Sequence, residues 1–162
     1  MLQIGDRAPE FTLPDHTGRD RSLSELLGLG TLVLYFYPAD FTPGCTREAC
    51  GIRDIHAELV RVGMRVVGVS PQPPEQHLKF REKYNLPFAL LSDTEKSVIK
   101  MYEVNGPLGI GVRRATYLID PSRRVRDVLL ADFAISKHTD FLKKAISIRE
   151  PAGRNSSPKA AQ

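Results

Sequence analysis

Cys45 and Cys50 are the only thiols among 162 residues, and both lie in one short stretch, Tyr37-Pro38-Ala39-Asp40-Phe41-Thr42-Pro43-Gly44-Cys45-Thr46-Arg47-Glu48-Ala49-Cys50. A thiol attacks only as its thiolate, and an ordinary cysteine with a pKa of about 8.5 is mostly protonated at neutral pH. The residues before Cys45 address that difficulty. Thr42 is suited to cap a helix and Pro43 to occupy its first position, so Cys45 would stand about third, beside unpaired amides and the positive end of the helix dipole. Gly44 permits close approach of another molecule to the backbone. The Thr42 hydroxyl can donate or accept, so it could orient an oxygen-containing substrate as well as cap. The stretch reads as a nucleophile, Cys45, with Cys50 as the thiol that resolves its oxidised form.

The spacing constrains how the two could meet. Residues five apart on an ideal helix have Cα atoms about 8.7 Å apart and point ~140° away from each other. A disulfide needs Cα atoms within roughly 7 Å and converging Cβ vectors. If Cys45 and Cys50 join, the first turn or two of the helix must unwind. A zinc site would want four ligands at paired spacings, and His16, His56, His77 and His138 are not paired with the cysteines. A dithiol exchanger would more usually carry Cys-x-x-Cys, whereas the residue three after Cys45 is Glu48.

The elements that must position this stretch follow from local pattern. Thr31 to Tyr37 is apolar on both faces, as in a central strand covered on each side, and Pro38 ends it. A helix is predicted from Pro43 to Val62, with Gly63 past its end. Ala49, Ile52, Ile55, Leu59 and Val62 form its apolar stripe; Cys45 falls on that stripe and Cys50 on the other face. Met64 to Val69 is a second strand, Pro74 to Tyr84 a helix, and Phe88 to Leu91 a short extended piece. Ser22-Leu23-Ser24-Glu25 and Ser92-Asp93-Thr94-Glu95 have the capping-box pattern and should each start a helix, the second running through Tyr102. Asn105 to Gly111 should be an exposed loop. Ala115 to Ile119 and Val125 to Leu130 read as strands joined by a turn at Asp120-Pro121-Ser122-Arg123, and Ser136 as the cap of a last helix. Ala8 to Pro14, bracketed by prolines, can be only a short edge strand. The order predicts one α/β domain over 1–149, with a parallel start, an antiparallel finish and helices on both faces of a mixed sheet, followed by a disordered tail over 150–162. In such sheets reactive groups gather beyond the carboxyl ends of strands, where Cys45 stands.

Composition narrows the function classes. A net charge of +4, from 23 basic and 19 acidic residues spread along the chain, gives little reason to infer a nucleic-acid partner. No apolar run approaches membrane-spanning length and the N-terminus lacks a signal-peptide core, so a cytoplasmic location is expected.

Pro38-x-x-x-Thr42-x-x-Cys45 resembles the active-site motif of the peroxiredoxins, and Asp40-Phe41-Thr42-Pro43-Gly44-Cys45-Thr46-x-Glu48-Ala49-Cys50 resembles the bacterioferritin comigratory protein, or peroxiredoxin Q, subfamily. The likeness extends from about Gly5 to Ile146 and includes Gly68-Val69-Ser70-Pro71, Lys83 to Phe88 and Arg114 to Asp120. It implies a thioredoxin-like fold and a thiol peroxidase acting on hydrogen peroxide and organic hydroperoxides, with no metal or organic cofactor. Cys45 matches the peroxidatic cysteine, Cys50 the resolving cysteine, Thr42 the threonine that hydrogen-bonds the peroxide, Pro38 the proline that shields the pocket, and Arg114 the arginine beside the thiolate. Thioredoxin or a similar dithiol is the implied reductant. Ala39 stands where many relatives carry lysine, and no third cysteine lies near the C-terminus, so a monomer is expected rather than an intersubunit disulfide. Two other readings stay open at this point: a one-cysteine peroxidase resolved by an external thiol, and a thioredoxin-type disulfide reductase. A non-enzymatic thioredoxin-fold binding module gives no reason for Thr42, Cys45 and Arg114 to occur together.

Overall fold

The computed structural model describes residues 1–149, and the tail expected over 150–162 lies outside the described residues. Five strands form one sheet: β3 (Thr31–Phe36), β4 (Met64–Ser70), β5 (Ala89–Ser92), β6 (Ala115–Ile119) and β7 (Val125–Leu130), in the order β5-β4-β3-β6-β7. β3 pairs parallel with β4, and β4 with β5; β3 pairs antiparallel with β6, and β6 with β7. The sheet is therefore mixed, with β3 at its centre. A separate two-stranded ribbon of β1 (Thr12–Pro14) and β2 (Asp20–Ser22) lies before it.

All six residues of β3 are buried because the strand feeds two cores. Leu32, Leu34 and Phe36 face a cluster with Phe11, Leu26, Val98 and Tyr102, which brings in α1 (Leu23–Leu27) and α4 (Ser97–Met101). Val33 and Tyr35 face the other side, with Cys45, Ile52, Leu59, Phe80 and Leu142, under α2 (Pro43–Arg61), α3 (Pro74–Lys83) and α5 (Ser136–Arg149). This alternation is why the strand is apolar at every position from Leu32 onward rather than at every second one. Gly63, at φ +79, supplies the left-handed residue that ends α2 and lets the chain enter β4 directly.

Several local expectations need correction. Ser22 does cap α1, accepting from the Glu25 amide at 3.1 Å, but the Glu25 carboxylate pairs with Arg21 instead of reaching back. The box at 92–95 does not start a helix: α4 begins at Ser97 after Lys96 in the left-handed region. Asp93 does the capping there, accepting from the Ile99 amide at 2.8 Å. β2 was not anticipated, having three polar residues and no apolar run. The loop at 105–111 is exposed as expected, but contains a 3₁₀ turn at Pro107–Gly109. The hairpin strands β6 and β7 have the predicted bounds.

Candidate active site

The site is assembled where the central strand ends and α2 begins. Tyr37 continues from β3, Pro38 turns the chain, and Phe41 at φ +64 reverses it. Thr42 precedes α2 with extended backbone, and its carbonyl accepts the first helical bond, from the Thr46 amide at 2.9 Å. Its side chain does not cap, contrary to expectation. Thr42 Oγ1 donates to the Ala39 carbonyl at 2.9 Å, leaving its lone pairs available. With Pro43 lacking an N–H and Thr42 turned away, the amides of Gly44 and Cys45 have no partner among the described residues. They face a region that the helix dipole makes favourable to negative charge.

Arg114, 69 residues from Cys45, arrives by strand register. Ala115 pairs with Phe36 across the antiparallel β3–β6 ladder, which sets Arg114 just beyond the end of β3. Its amide donates to Asp132 Oδ1 at 3.0 Å, and Asp132 Oδ2 accepts from Arg113 Nη2 at 2.9 Å. Burial opposes the charge of Asp132, but the bonds from Arg114 and Arg113 outweigh it and hold the carboxyl below its ordinary range. Sequence spacing alone does not choose between the two arginines. The structure divides them: Arg113 faces Asp132, while Arg114 turns inward and is 6% exposed.

The Arg114 guanidinium bridges two groups of α2. Nη2 lies 3.4 Å from Cys45 Sγ and Nη1 donates to Glu48 Oε1 at 3.0 Å. Gly44 is explained by this approach rather than by an incoming molecule, because a Cβ there would stand 3.2 Å from Arg114 Nη2 and 3.4 Å from Ile135 Cδ1. Cys45 is 1% exposed. Its neighbours Gly44 and Arg114 line a cavity of about 740 Å³ together with Pro38 and Thr42, with Ile110 and Phe133 on its rim. Cys50 is half-buried, and both thiols are free in an uninterrupted helix, so the separation set by five helical residues applies.

Two buried groups beside this set were missed. Glu48 stands one helical turn from Cys45 on the same face, and an acid on an otherwise apolar stripe was the signal. Burial pushes its carboxyl up to about 7, against the pull of Arg114. Its second oxygen has no hydrogen-bond partner. His138 Nδ1 lies 3.5 Å from that oxygen, but burial lowers the pKa of His138, and its Nε2 already faces the Ala131 carbonyl at 2.9 Å. With Nε2 carrying the proton, Nδ1 accepts from Thr116 Oγ1 at 2.8 Å, and the contact with Glu48 is not an ion pair. The second group anchors the turn. Asp40 accepts from Tyr37 OH at 2.6 Å and lies 2.7 Å from His77 Nδ1, while His77 Nε2 donates to the Leu91 carbonyl at 3.0 Å. Phe41 packs edge-on against Phe80, with Lys83 Nζ 5.8 Å from its ring centre. Asp40 and His77 were invisible as partners because 37 residues separate them. Among the described residues no three His, Cys, Asp or Glu side chains cluster as metal ligands would.

The AhpC/TSA family matches residues 4–128 of this sequence. The chain belongs to the AhpC/TSA family of peroxiredoxins. Peroxiredoxin Bcp of Escherichia coli is 41% identical over 147 residues, covering 87% of this chain and 93% of the relative. Peroxiredoxin Bcp of Bacillus subtilis is 42% identical over 130 residues, covering 76% and 82%. Among solved structures, peroxidoxin BcpB of Mycobacterium tuberculosis superposes with a TM-score of 0.84 at 41% identity, covering 92% of this chain and 97% of that one. Peroxiredoxin Q of Xanthomonas campestris superposes at 0.78 with 28% identity, covering 85% and 90%. The thioredoxin-like peroxiredoxin fold implied by the motif is the fold this chain has.

Proposed function

We propose that Cys45 is the peroxidatic thiol, that Arg114, Thr42 and the free helix-start amides stabilise its reaction, and that Cys50 resolves the product. The chain is a thiol-dependent peroxidase of the peroxiredoxin Bcp and Q type. One observation carries the assignment of roles: a single guanidinium, from a strand that sequence spacing does not connect to the cysteine, lies 3.4 Å from Cys45 Sγ.

The Cys45 thiolate attacks one oxygen of a hydroperoxide, the O–O bond breaks, and the departing alkoxide or hydroxide takes a proton to leave as alcohol or water. Negative charge grows on the departing oxygen, and preorganised donors aimed at such a charge each contribute about 10²–10³ in rate. Arg114 already bears on the sulfur, Thr42 can accept from the peroxide O–H, and the Gly44 and Cys45 amides point into the same region. Pro38 excludes water from one side. Cys45 becomes a sulfenic acid; the Cys50 thiol condenses with it, releasing water and forming an intramolecular disulfide. A dithiol reductant of the thioredoxin type then restores both thiols by exchange. The bacterioferritin comigratory protein of Xanthomonas campestris has alkyl peroxide reduction activity, and the apolar rim of Ile110 and Phe133 suits organic hydroperoxides as well as hydrogen peroxide here. No helix among the described residues is long and apolar enough to cross a membrane, and we assign the reaction to the cytoplasm in a monomer.

Mass spectrometry after one equivalent of hydrogen peroxide tests the route. The expected product is a chain lighter by two hydrogens with a Cys45–Cys50 crosslink. A stable mixed disulfide with an added thiol, and no internal crosslink, would instead establish the one-cysteine route.

A further inference from the structure

A basic cavity at the other end of the strands takes no part in the site around Cys45. It has a volume of about 420 Å³ and opens where β4 and β5 begin, whereas Cys45 follows the end of β3, which runs parallel to β4. Arg21, Arg65 and Arg81 converge on it, with His16 from the turn between β1 and β2. Leu29, Val60 and Phe88 form an apolar side.

The charges around this cavity do not balance. Arg21 is matched, lying 3.4 Å from Asp15 and 3.1 Å from Glu25. Arg81 donates through Nε to the Phe88 carbonyl at 3.1 Å and meets no carboxylate among the described residues. Arg65 is half-buried; burial and then the charge of Arg21 work against its cation, and Glu25 offsets them only in part. No hydrogen bond or ion pair joins Arg65 to a described residue. His16 Nδ1 is buried without a hydrogen-bond partner. Arg81 without a carboxylate partner, and Arg65 with no hydrogen-bonded one and only the partial offset of Glu25, around a concave and partly apolar space, describe a site suited to an anion.

We propose that this cavity binds a small phosphorylated ligand, its phosphate held by Arg65 and Arg81 and an apolar or aromatic body lying against Phe88 and Leu29. Guanidinium forks match phosphate oxygens two at a time, and a phosphate monoester, carrying about −1.5 to −2 at pH 7, has oxygens and charge enough to face both guanidiniums at once, which a single carboxylate has not. The volume lies in the range of small-molecule sites, roughly 300–1,000 Å³.

His16 provides the readout. Burial holds its pKa below the ordinary value and Arg81 lowers it further; Asp15 raises it, and His77 and Arg21 lower it. A bound dianion reverses the local field, so the His16 titration midpoint must rise.

The test is proton NMR of the His16 ring, assigned with His16→Gln, during titration with phenyl phosphate and separately with inorganic phosphate at constant ionic strength in sodium chloride. The expected result is a saturable shift with a raised His16 midpoint, and phenyl phosphate binding about tenfold tighter than inorganic phosphate through its ring. Arg65→Gln should weaken binding at least tenfold while hydrogen peroxide reduction stays unchanged. Shifts that grow without saturating in the unmodified protein, or that saturate equally in Arg65→Gln, would overturn the proposal. Equal affinity for the two phosphates would overturn the apolar subsite.

Discussion

Glu48→Gln tests what a buried charge costs when it shares one guanidinium with the sulfur of Cys45. Glu48 is fully buried; one oxygen accepts from Arg114 and the other has no partner. Burial pushes its carboxyl from its ordinary 4.5 to about 7, Arg114 notwithstanding. Between those two values the folded chain keeps a proton that the unfolded chain has released, so stability falls as pH rises through the window. About 2.5 pH units at ~1.36 kcal/mol each comes to roughly 3 kcal/mol, absent below pH 4.5 and fully present above pH 7. Glutamine keeps the volume and an acceptor for Arg114 Nη1 but cannot ionise. Its stability relative to the parent should therefore climb by about 3 kcal/mol between pH 4.5 and pH 8, a large part of the ~5–15 kcal/mol that holds a domain together. Urea unfolding followed by circular dichroism, with both thiols kept reduced by a phosphine, measures the difference at half-unit pH steps. A constant offset from weakening the ion pair would not bear on the point. Two curves that run parallel from pH 4.5 to 8 would refute the reasoning, because Glu48 would then ionise as readily inside as out.

Cys50→Ser should leave the first oxidation of Cys45 by hydrogen peroxide intact and abolish thioredoxin-dependent turnover; stopped-flow oxidation and a coupled thioredoxin assay separate the two steps, and undiminished turnover would favour resolution by an external thiol. Arg114→Met removes the cation from between two acidic groups, so oxidation of Cys45 should slow by about 10²–10³. The same variant leaves Glu48 buried with no opposite charge, which costs on the order of 3 kcal/mol when Glu48 is ionised, so its urea midpoint should fall more at pH 8 than at pH 5. Thr42→Val keeps the shape of the side chain while deleting the hydroxyl, and should slow oxidation about 10²-fold with little change in stability; an unaltered rate would mean that the hydroxyl serves only the Ala39 carbonyl.

Much of this site was legible in the sequence, because its parts are carried by local pattern or by the motif. The strand at Thr31–Phe36, the helix from Pro43 and the placement of Cys45 on its apolar stripe each follow from a few neighbouring residues. What failed was side-chain choice among nearby alternatives. Thr42 occupies the cap position without capping, because a turn with Phe41 at positive φ brings the Ala39 carbonyl within reach of its hydroxyl. At 92–95, two acceptors compete for the following amides, and Asp93 wins while the Ser92 hydroxyl is buried without a partner. Arg114 came from the family motif alone, since a strand register cannot be read from spacing. Glu48 was the avoidable miss, an acid at a core position of a helix otherwise read correctly.

The reduced arrangement and the chemistry make opposite demands on the same turn. Nucleophilic attack needs Pro43 to Thr46 helical, because only then do the free amides and Arg114 converge on Cys45. Resolution by Cys50, as proposed, needs that turn open, because five helical residues hold the two Cα atoms about 8.7 Å apart. Three contacts act on the turn just before it: the Asp40–His77 pair, the Tyr37–Asp40 bond and the Phe41–Phe80 edge contact, tying the 38–42 segment to α3 or to Tyr37, the residue after β3. None of them touches Cys50 or any residue of α2 beyond its first turn. The anchor therefore fixes the N-terminal side of the segment that must move, and unwinding would begin within α2. In the proposed route oxidation alters one of the two groups of α2 that face the guanidinium: a sulfenic acid is neutral, while Glu48 still accepts from Arg114 Nη1. Oxidation of the sulfur thus loosens one of the two contacts between Arg114 and α2 at the step where, on this proposal, the helix has to open.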